Sequence, residues 1–135
     1  MAAIKTQRTT APRAGLILFA HGSRSPAWRQ PFERLLKDVA KRGKCPTVLA
    51  FGEFMSPGLV QATQTLAAAG VKKAVIVPLL LGGGRHVRAD LPKLVAQARA
   101  ASGIKLRVAK TIGDDAGVLR AIADYSIAAA HPRKD

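Results

Sequence analysis

The stretch that decides the fold is Ala74-Val75-Ile76-Val77-Pro78-Leu79-Leu80-Leu81, the most apolar run in the chain. A continuous apolar run of this length, followed by glycines, is typical of a strand buried on both faces of a parallel sheet. We therefore predict a strand over residues 74–81. Because proline cannot donate to a strand ladder, Pro78 should mark a bulge or the end of that strand.

The same unit of apolar strand, polar turn and amphipathic helix recurs on both sides of this stretch. We predict further strands over 15–20, 47–51 and 106–109, and helices over about 27–42, 57–69, 91–102 and 116–130. Pro31 should kink the first helix or delay its start. A glycine follows each of the first three helices, in the left-handed position that glycine tolerates. The predicted N-caps are Ser56, Asp90, and Asp114 or Asp115. The alternation predicts an α/β fold with a four-stranded, mainly parallel sheet and helices on both faces.

The length of 135 residues suits a single domain. We expect a mobile basic arm over 1–13, the folded domain over 14–130 and a tail over 131–135. The chain has no stretch of about twenty apolar residues, so no transmembrane helix is predicted. The apolar run after Arg13 could imitate a signal peptide, but it leads straight into His21, so a buried strand is favoured. The single Cys45 leaves no internal disulfide or CxxC pair, and we expect a reducing cytoplasm.

The charge balance points to an anionic partner. Lys and Arg number 22 against 8 Asp and Glu, a formal net charge of +14. Such a balance suits nucleic acid, an acidic membrane or a polycarboxylate ligand, and is also compatible with a simply solvated surface. Trp28 and Tyr125 are isolated and no nucleic-acid-binding motif is present, so we predict neither nucleic-acid nor membrane binding.

Polar side chains follow three of the predicted strands. His21 comes after the first strand, Glu53 after the second and His86 after the third. The carboxyl ends of parallel strands share one edge, where ligands bind. Imidazole and carboxylate groups suit a borderline divalent metal and proton transfer near neutral pH. From the residues alone, the histidines could instead be ordinary loop residues, and Glu53 a capping or surface carboxylate.

The loop after the third strand is rich in glycine. Gly82, Gly83 and Gly84 either let a ligand approach the backbone or form a flexible connection. No Lys-Ser/Thr pair follows them and Val87 breaks a GxGxxG pattern, so no nucleotide site is predicted. Arg24, Arg85 and Arg88 flank the two histidines and could hold ligand carboxylates or be solvated.

Two motifs carry a resemblance to a known family. Residues 18–24, Leu-Phe-Ala-His-Gly-Ser-Arg, resemble the opening motif of the small class II chelatases of the CbiX/SirB type. Residues 82–92, Gly-Gly-Gly-Arg-His-Val-Arg-Ala-Asp-Leu-Pro, resemble their second motif. The segments 50–54 and 112–115 are similar to further family segments, although Gly52 stands where leucine is common.

This resemblance implies a flavodoxin-like, chelatase-like domain that inserts Co2+, Fe2+ or Ni2+ into sirohydrochlorin, an anionic tetrapyrrole, without a nucleotide or redox cofactor. It implies that His21 and His86 bind the metal and that one of them, or Glu53, accepts protons. The substrate-binding residues would be Ser23, Arg24, Gly82, Gly83, Gly84, Arg85 and Arg88. It further implies a homodimer, because longer relatives place two such domains around one cleft.

Two other functions remain open at this point. A non-catalytic tetrapyrrole or metal carrier could have the same sequence, and only an activity assay separates it from an enzyme. A hydrolase could use the His21-Gly22-Ser23 loop with Ser23 as nucleophile, but the GxSxG motif is missing.

Overall fold

The computed structural model describes residues 14–82 and 85–131, leaving aside the side chains of residues 85–88. Its sheet has the strand order β2-β1-β3-β4. Every neighbouring pair is parallel, which confirms the predicted α/β sheet. The strands are β1 (Gly15–Ala20), β2 (Thr47–Phe51), β3 (Lys73–Pro78) and β4 (Lys105–Val108). β3 ends at Pro78, which confirms the prediction that this proline marks the end of the strand.

Four α-helices and two short 3-10 turns connect or follow the strands in the described residues. The helices are α1 (Gln30–Gly43), α2 (Leu59–Ala68), α3 (Arg85–Ser102) and α4 (Ala116–Ala130). The 3-10 turns are Pro26–Arg29 and Ile112–Asp114. None of the described helices is long and apolar enough to cross a membrane.

Helices α2 and α3 cover one face of the sheet, which we call the first face. Its core includes Phe19 and Ile76 from the strands, with Leu66 of α2 and Val95 of α3. The opposite, second face carries Leu18, Ala20, Leu49 and Phe51. Helix α1 packs there together with the indole of Trp28, and the helices therefore lie on both faces as predicted.

Trp28 is the centre of a small aromatic group on the second face. Its ring centroid lies 4.4 Å from that of Phe32 and 6.3 Å from that of Phe51. Both pairs are tilted rather than stacked face to face, an arrangement that aromatic rings favour. The group fixes the start of α1 against β2.

Two helix starts differ from the sequence prediction. α2 begins at Leu59 rather than at Ser56-Pro57, because the Pro57 carbonyl accepts the Phe51 N–H at 2.9 Å and stays beside β2. α3 begins at Arg85 rather than after Asp90, and it contains Pro92 in its interior. Asp90 has a side chain that suits an N-cap, and that preference misplaced the start of α3.

The ends of α1 and α4 test two further expectations. α1 starts at Gln30 with Pro31 in its first turn, which confirms the predicted delay. At its other end Lys44, not Gly43, takes the left-handed conformation with φ of 52°. For α4 the N-cap is Asp115, whose carboxylate accepts the Val118 N–H at 3.1 Å.

Neither α1 nor α4 has a fully buried side chain, but α1 packs half-buried residues against the sheet, whereas residues 119–130 of α4 are all exposed. Leu119, Ile122 and Tyr125 are 45%, 40% and 76% exposed. α4 meets the rest of the described chain mainly at the 3-10 turn that precedes it. The arm over 1–13 and residues 132–135 lie outside the described residues, and the predicted domain limits stay a prediction.

Candidate functional site

The loops after β1 and β2 are tied together by backbone hydrogen bonds. The Gly52 N–H donates to the Ala20 carbonyl at 2.9 Å, and the Glu53 N–H donates to the His21 carbonyl at 3.0 Å. These bonds continue the parallel pairing of β1 with β2 beyond the strand ends. Positions 21 and 53 are therefore held beside each other by the main chain.

The side chains of His21 and Glu53 face each other at this edge. His21 Nε2 lies 3.7 Å from Glu53 Oε2, and each side chain is 47% exposed. The distance is beyond an ordinary hydrogen bond but within ion-pair range. The structure thus brings together two of the three residues that the strand ends indicated.

Gly22 makes this close approach of the two loops feasible. It is buried, and its φ of +100° is unfavourable for residues with a side chain. A Cβ on Gly22 would lie 1.9 Å from the Glu53 carbonyl oxygen, far inside any real contact. In the sequence, Gly22 stands out only as part of the motif over residues 18–24.

A small cleft separates the His21–Glu53 pair from helix α3. Phe19, Gly52, Leu91 and Leu94 line it together with the two polar residues, and Asp90 contributes a third polar group from α3. Asp90 was predicted to cap a helix, which is wrong, because α3 begins five residues earlier. The signal that could have found it is its spacing from His86, since residues four apart share one side of a helix.

His86 lies in the first turn of α3, one turn before Asp90. Its side chain, like those of Arg85 and Arg88, lies outside the described residues, and so do Gly83 and Gly84 entirely. Among the side chains that are described, no three His, Cys, Asp or Glu groups are close enough together to hold a metal ion. His21, Glu53 and Asp90 line the cleft without closing a cage.

Arg24 and Ser23 take up specific positions next to His21. The Arg24 guanidinium carbon lies 4.3 Å from the centroid of the Phe54 ring, a cation–π contact that joins the two loops. Phe54 is itself 57% exposed. Ser23 Oγ accepts the Ser25 N–H at 3.1 Å, so its oxygen serves the local turn.

The loop after β3 is anchored as far as Leu81. Thr111 Oγ1 donates to the Leu80 carbonyl, and the Gly113 N–H donates to the same carbonyl at 3.1 Å. A Cβ on Gly113 would lie 1.6 Å from the Leu81 carbonyl oxygen. Residues 111–113 therefore hold the start of the glycine-rich segment, and Gly82 follows as an exposed residue.

Comparisons with known proteins agree with this architecture. A family model described as CbiX matches residues 15–129. The sirohydrochlorin cobaltochelatase of Sulfurisphaera tokodaii is 32% identical over 107 residues, which cover 75% of this chain and 81% of that protein. The enzyme of the same name from Methanopyrus kandleri is 37% identical over 81 residues, 59% of this chain and 57% of that protein.

Solved structures give the same result. A CbiX protein from Marinobacter aquaeolei VT8 superposes with a TM-score of 0.77 at 30% identity, covering 85% of this chain and 95% of that one. The sirohydrochlorin chelatase SirB of Bacillus subtilis subspecies spizizenii, in complex with cobalt, gives 0.71 at 26% identity. That match covers 86% of this chain and 52% of the SirB chain, so this chain spans about half of SirB.

Proposed function

This chain belongs to the CbiX family, and on that premise we propose that it is a chelatase that inserts a divalent metal ion into sirohydrochlorin. The observation that carries the proposal is the open cleft in which His21 Nε2 and Glu53 Oε2 lie 3.7 Å apart, with Asp90 also lining it. Relatives named sirohydrochlorin cobaltochelatase support the choice of substrate.

The groups in the cleft match what metal insertion requires. The reaction exchanges one metal ion for two pyrrole protons, so the site needs a loose metal ligand and a proton acceptor. The His21 imidazole is half exposed and can bind a borderline metal while leaving coordination positions open to the ring nitrogens. We propose that His21 and His86 hold the metal and that Glu53 accepts protons, with Asp90 assisting.

The charge of the chain favours an anionic tetrapyrrole. A net charge of +14 raises the local concentration of a polycarboxylate by long-range attraction. Arg24 is exposed beside the cleft, and its contact with Phe54 presents an aromatic ring and a cation together. We propose that Arg24, Arg85 and Arg88 bind substrate carboxylates, with Ser23 and Gly82–Gly84 near the ring edge.

We propose Co2+ as the first metal to test, followed by Fe2+ and Ni2+. SirB was solved with cobalt, and the curated relatives carry cobalt in their names. No nucleotide is expected to take part, since the sequence has no phosphate-binding loop. We further propose that the enzyme works in the cytoplasm, in keeping with its single cysteine.

Two copies of the chain are proposed to act together. Since the match to SirB covers 52% of that chain, SirB is about twice as long as the region matched here. Two copies would supply a comparable length of protein around one substrate.

The direct experiment follows Co2+ insertion into sirohydrochlorin by absorbance without oxygen. We expect His21→Ala and His86→Ala each to lower the rate by at least about 100-fold, the scale of a lost positioned catalytic group. His131→Ala is the matched control, because His131 is exposed at the end of α4 and should leave the rate unchanged.

Glu53→Gln and Asp90→Asn complete the set by removing proton acceptors without changing shape. Both should lower kcat more than they raise KM for the metal. Wild-type rates in both histidine variants would refute the proposed roles. Tight binding of cobalt and tetrapyrrole without any product would instead identify a carrier.

A further inference from the structure

We propose that Phe54 is a substrate-binding residue that receives the flat face of the tetrapyrrole on its ring, while Arg24, held by the same ring, binds a peripheral carboxylate. This role rests on the proposed function and deepens it, because it names the side chain that orients the ring system of the substrate. It arises from a strained turn that holds an exposed aromatic ring beside the His21–Glu53 pair.

The backbone turns sharply directly after Glu53. The Met55 N–H donates to the Glu53 carbonyl at 2.7 Å, so the two residues close a γ-turn with Phe54 at its centre. The φ of Phe54 is +63°, and the γ-turn with a positive central φ is the rare and strained form. A bulky side chain in this region of φ is an outlier, and such outliers cluster at active sites and ligand-binding sites.

Local stability does not account for a phenylalanine at this position. Glycine would adopt the same φ without strain. In the described structure Met55 packs against the core of the second face, whereas Phe54 is 57% exposed and joins neither core cluster. Lys44, the other described non-glycine residue with positive φ, ends helix α1 in the left-handed position typical of helix ends. Phe54 ends no helix, so its conformation needs another reason.

One face of the Phe54 ring is already occupied by Arg24. The guanidinium carbon lies over the ring at 4.3 Å from its centroid. Because the cation covers that face, the exposed surface of Phe54 includes the opposite face of the ring. Arg24 is itself exposed and forms no ion pair with a described side chain, unlike Arg29, which pairs with Glu33. Its charge is therefore held in place by the ring without being neutralised.

An open aromatic face beside an unneutralised guanidinium matches the chemistry of a polycarboxylate tetrapyrrole. The ring system of such a ligand is flat and apolar, and aromatic side chains bind flat π-systems by offset stacking. Its carboxylates lie on the periphery, where a guanidinium can bind one of them through two parallel N–H donors. The hydrogen bond from the Glu53 N–H to the His21 carbonyl fixes the two loops together. A tetrapyrrole on Phe54 would therefore be held beside the His21–Glu53 pair.

The first test measures the Kd of metal-free sirohydrochlorin by absorbance titration. We expect Phe54→Gly and Phe54→Leu each to raise this Kd about tenfold, the scale of one lost aromatic contact, and Phe54→Tyr to keep it. In Phe54→Leu the KM for Co2+ should stay unchanged, because Phe54 is not among the proposed metal ligands.

Lys44→Gly is the matched control for Phe54→Gly. It also places glycine at a positive φ, but Lys44 precedes β2 and so lies at the opposite edge of the sheet. It should leave the Kd of sirohydrochlorin unchanged. Urea unfolding checks that both glycine variants fold.

The second test asks whether the ring contacts the tetrapyrrole itself or only holds Arg24. In an Arg24→Gln background, Phe54→Leu should raise the Kd further, though by less than in the natural chain, because part of its effect acts through Arg24. No further rise would overturn the stacking contact. So would a natural Kd in Phe54→Leu, or an equal rise in the KM for Co2+, which would indicate a distorted Glu53 loop instead.

These measurements stand apart from the insertion assay because the titration needs no metal. A chain that binds sirohydrochlorin through Phe54 but inserts no metal would refute the proposed function alone. A chain that inserts Co2+ while Phe54→Leu keeps the natural Kd would refute the role of Phe54 alone.

Discussion

Replacing Gly22 by alanine should damage the site far more than the same replacement at Gly70. Both glycines have positive φ, +100° and +89°, so an added Cβ strains the backbone alike in both. They differ in their surroundings. Nothing lies within 4 Å of a Cβ on Gly70, whereas a Cβ on Gly22 would lie 1.9 Å from the Glu53 carbonyl oxygen. The pair therefore separates backbone strain from the collision between the two loops.

The structure sets the size of each effect. The left-handed conformation costs a residue with a Cβ about 1–2 kcal/mol, which is the expected loss for Gly70→Ala. In Gly22→Ala the carbonyl must also retreat by about 1 Å to reach the 3.0 Å limit of real contacts. That movement weakens the bond from the Glu53 N–H to the His21 carbonyl, worth about 1 kcal/mol. We expect Gly22→Ala to lose about 2–4 kcal/mol of unfolding free energy.

Activity should separate the two variants more clearly than stability does. A displacement of about 1 Å in a catalytic group can cost on the order of 100-fold in rate, so Gly22→Ala should lose cobalt insertion to that degree. Gly70→Ala should keep the natural rate at temperatures where it is folded. Urea unfolding and absorbance-monitored insertion measure the two quantities. If Gly22→Ala matched Gly70→Ala in both, the account of the loop contact would be refuted.

Two further predictions concern Arg29 and Asp115. Arg29 Nη1 donates to the Ser56 carbonyl at 2.7 Å, so Arg29→Met should loosen the loop that carries Glu53. The free energy of unfolding, from urea titrations, should fall by about 1 kcal/mol, and metal insertion should be slower. Arg29→Lys should fail to restore either, and full rescue would contradict this role. The Val118 N–H and then Lys110 lower the pKa of Asp115. The ionised carboxylate supports α4 fully above its ordinary pKa of about 4, and this support is lost as pH falls through the lowered pKa. Helix content, measured by circular dichroism, should therefore fall in that acidic range. The fall should be larger in the natural chain than in Asp115→Asn.

The strands were the part of the fold that the sequence predicted best. β1 and β2 match their predicted limits, and β3 and β4 differ by a few residues at most. The reason is that a strand buried on both faces must be apolar at nearly every position, so its limits are visible directly. Helix starts were predicted less well, because Ser56-Pro57 and Asp90 were both interpreted as helix starts. The hydrogen bond to the Pro57 carbonyl, a tertiary contact, is invisible in local sequence.

The candidate site was predicted in part for the same reason. Strand ends placed His21 and Glu53 at one edge, and the structure brings them within 3.7 Å. Asp90 was missed because it enters the cleft from a helix rather than from a strand end. The need for glycine at positions 22 and 113 also escaped notice, since it depends on carbonyl groups from distant loops.

Trp28 gives this protein a built-in optical reporter. It is the single tryptophan of the chain and packs 4.4 Å from Phe32 on the second face. Its emission therefore registers the docking of α1 on the sheet, whereas α4 has no tryptophan and is followed by far-ultraviolet circular dichroism. If the two signals change together on heating, α4 melts with the domain. If the far-ultraviolet signal changes first, α4 is a separate cooperative unit.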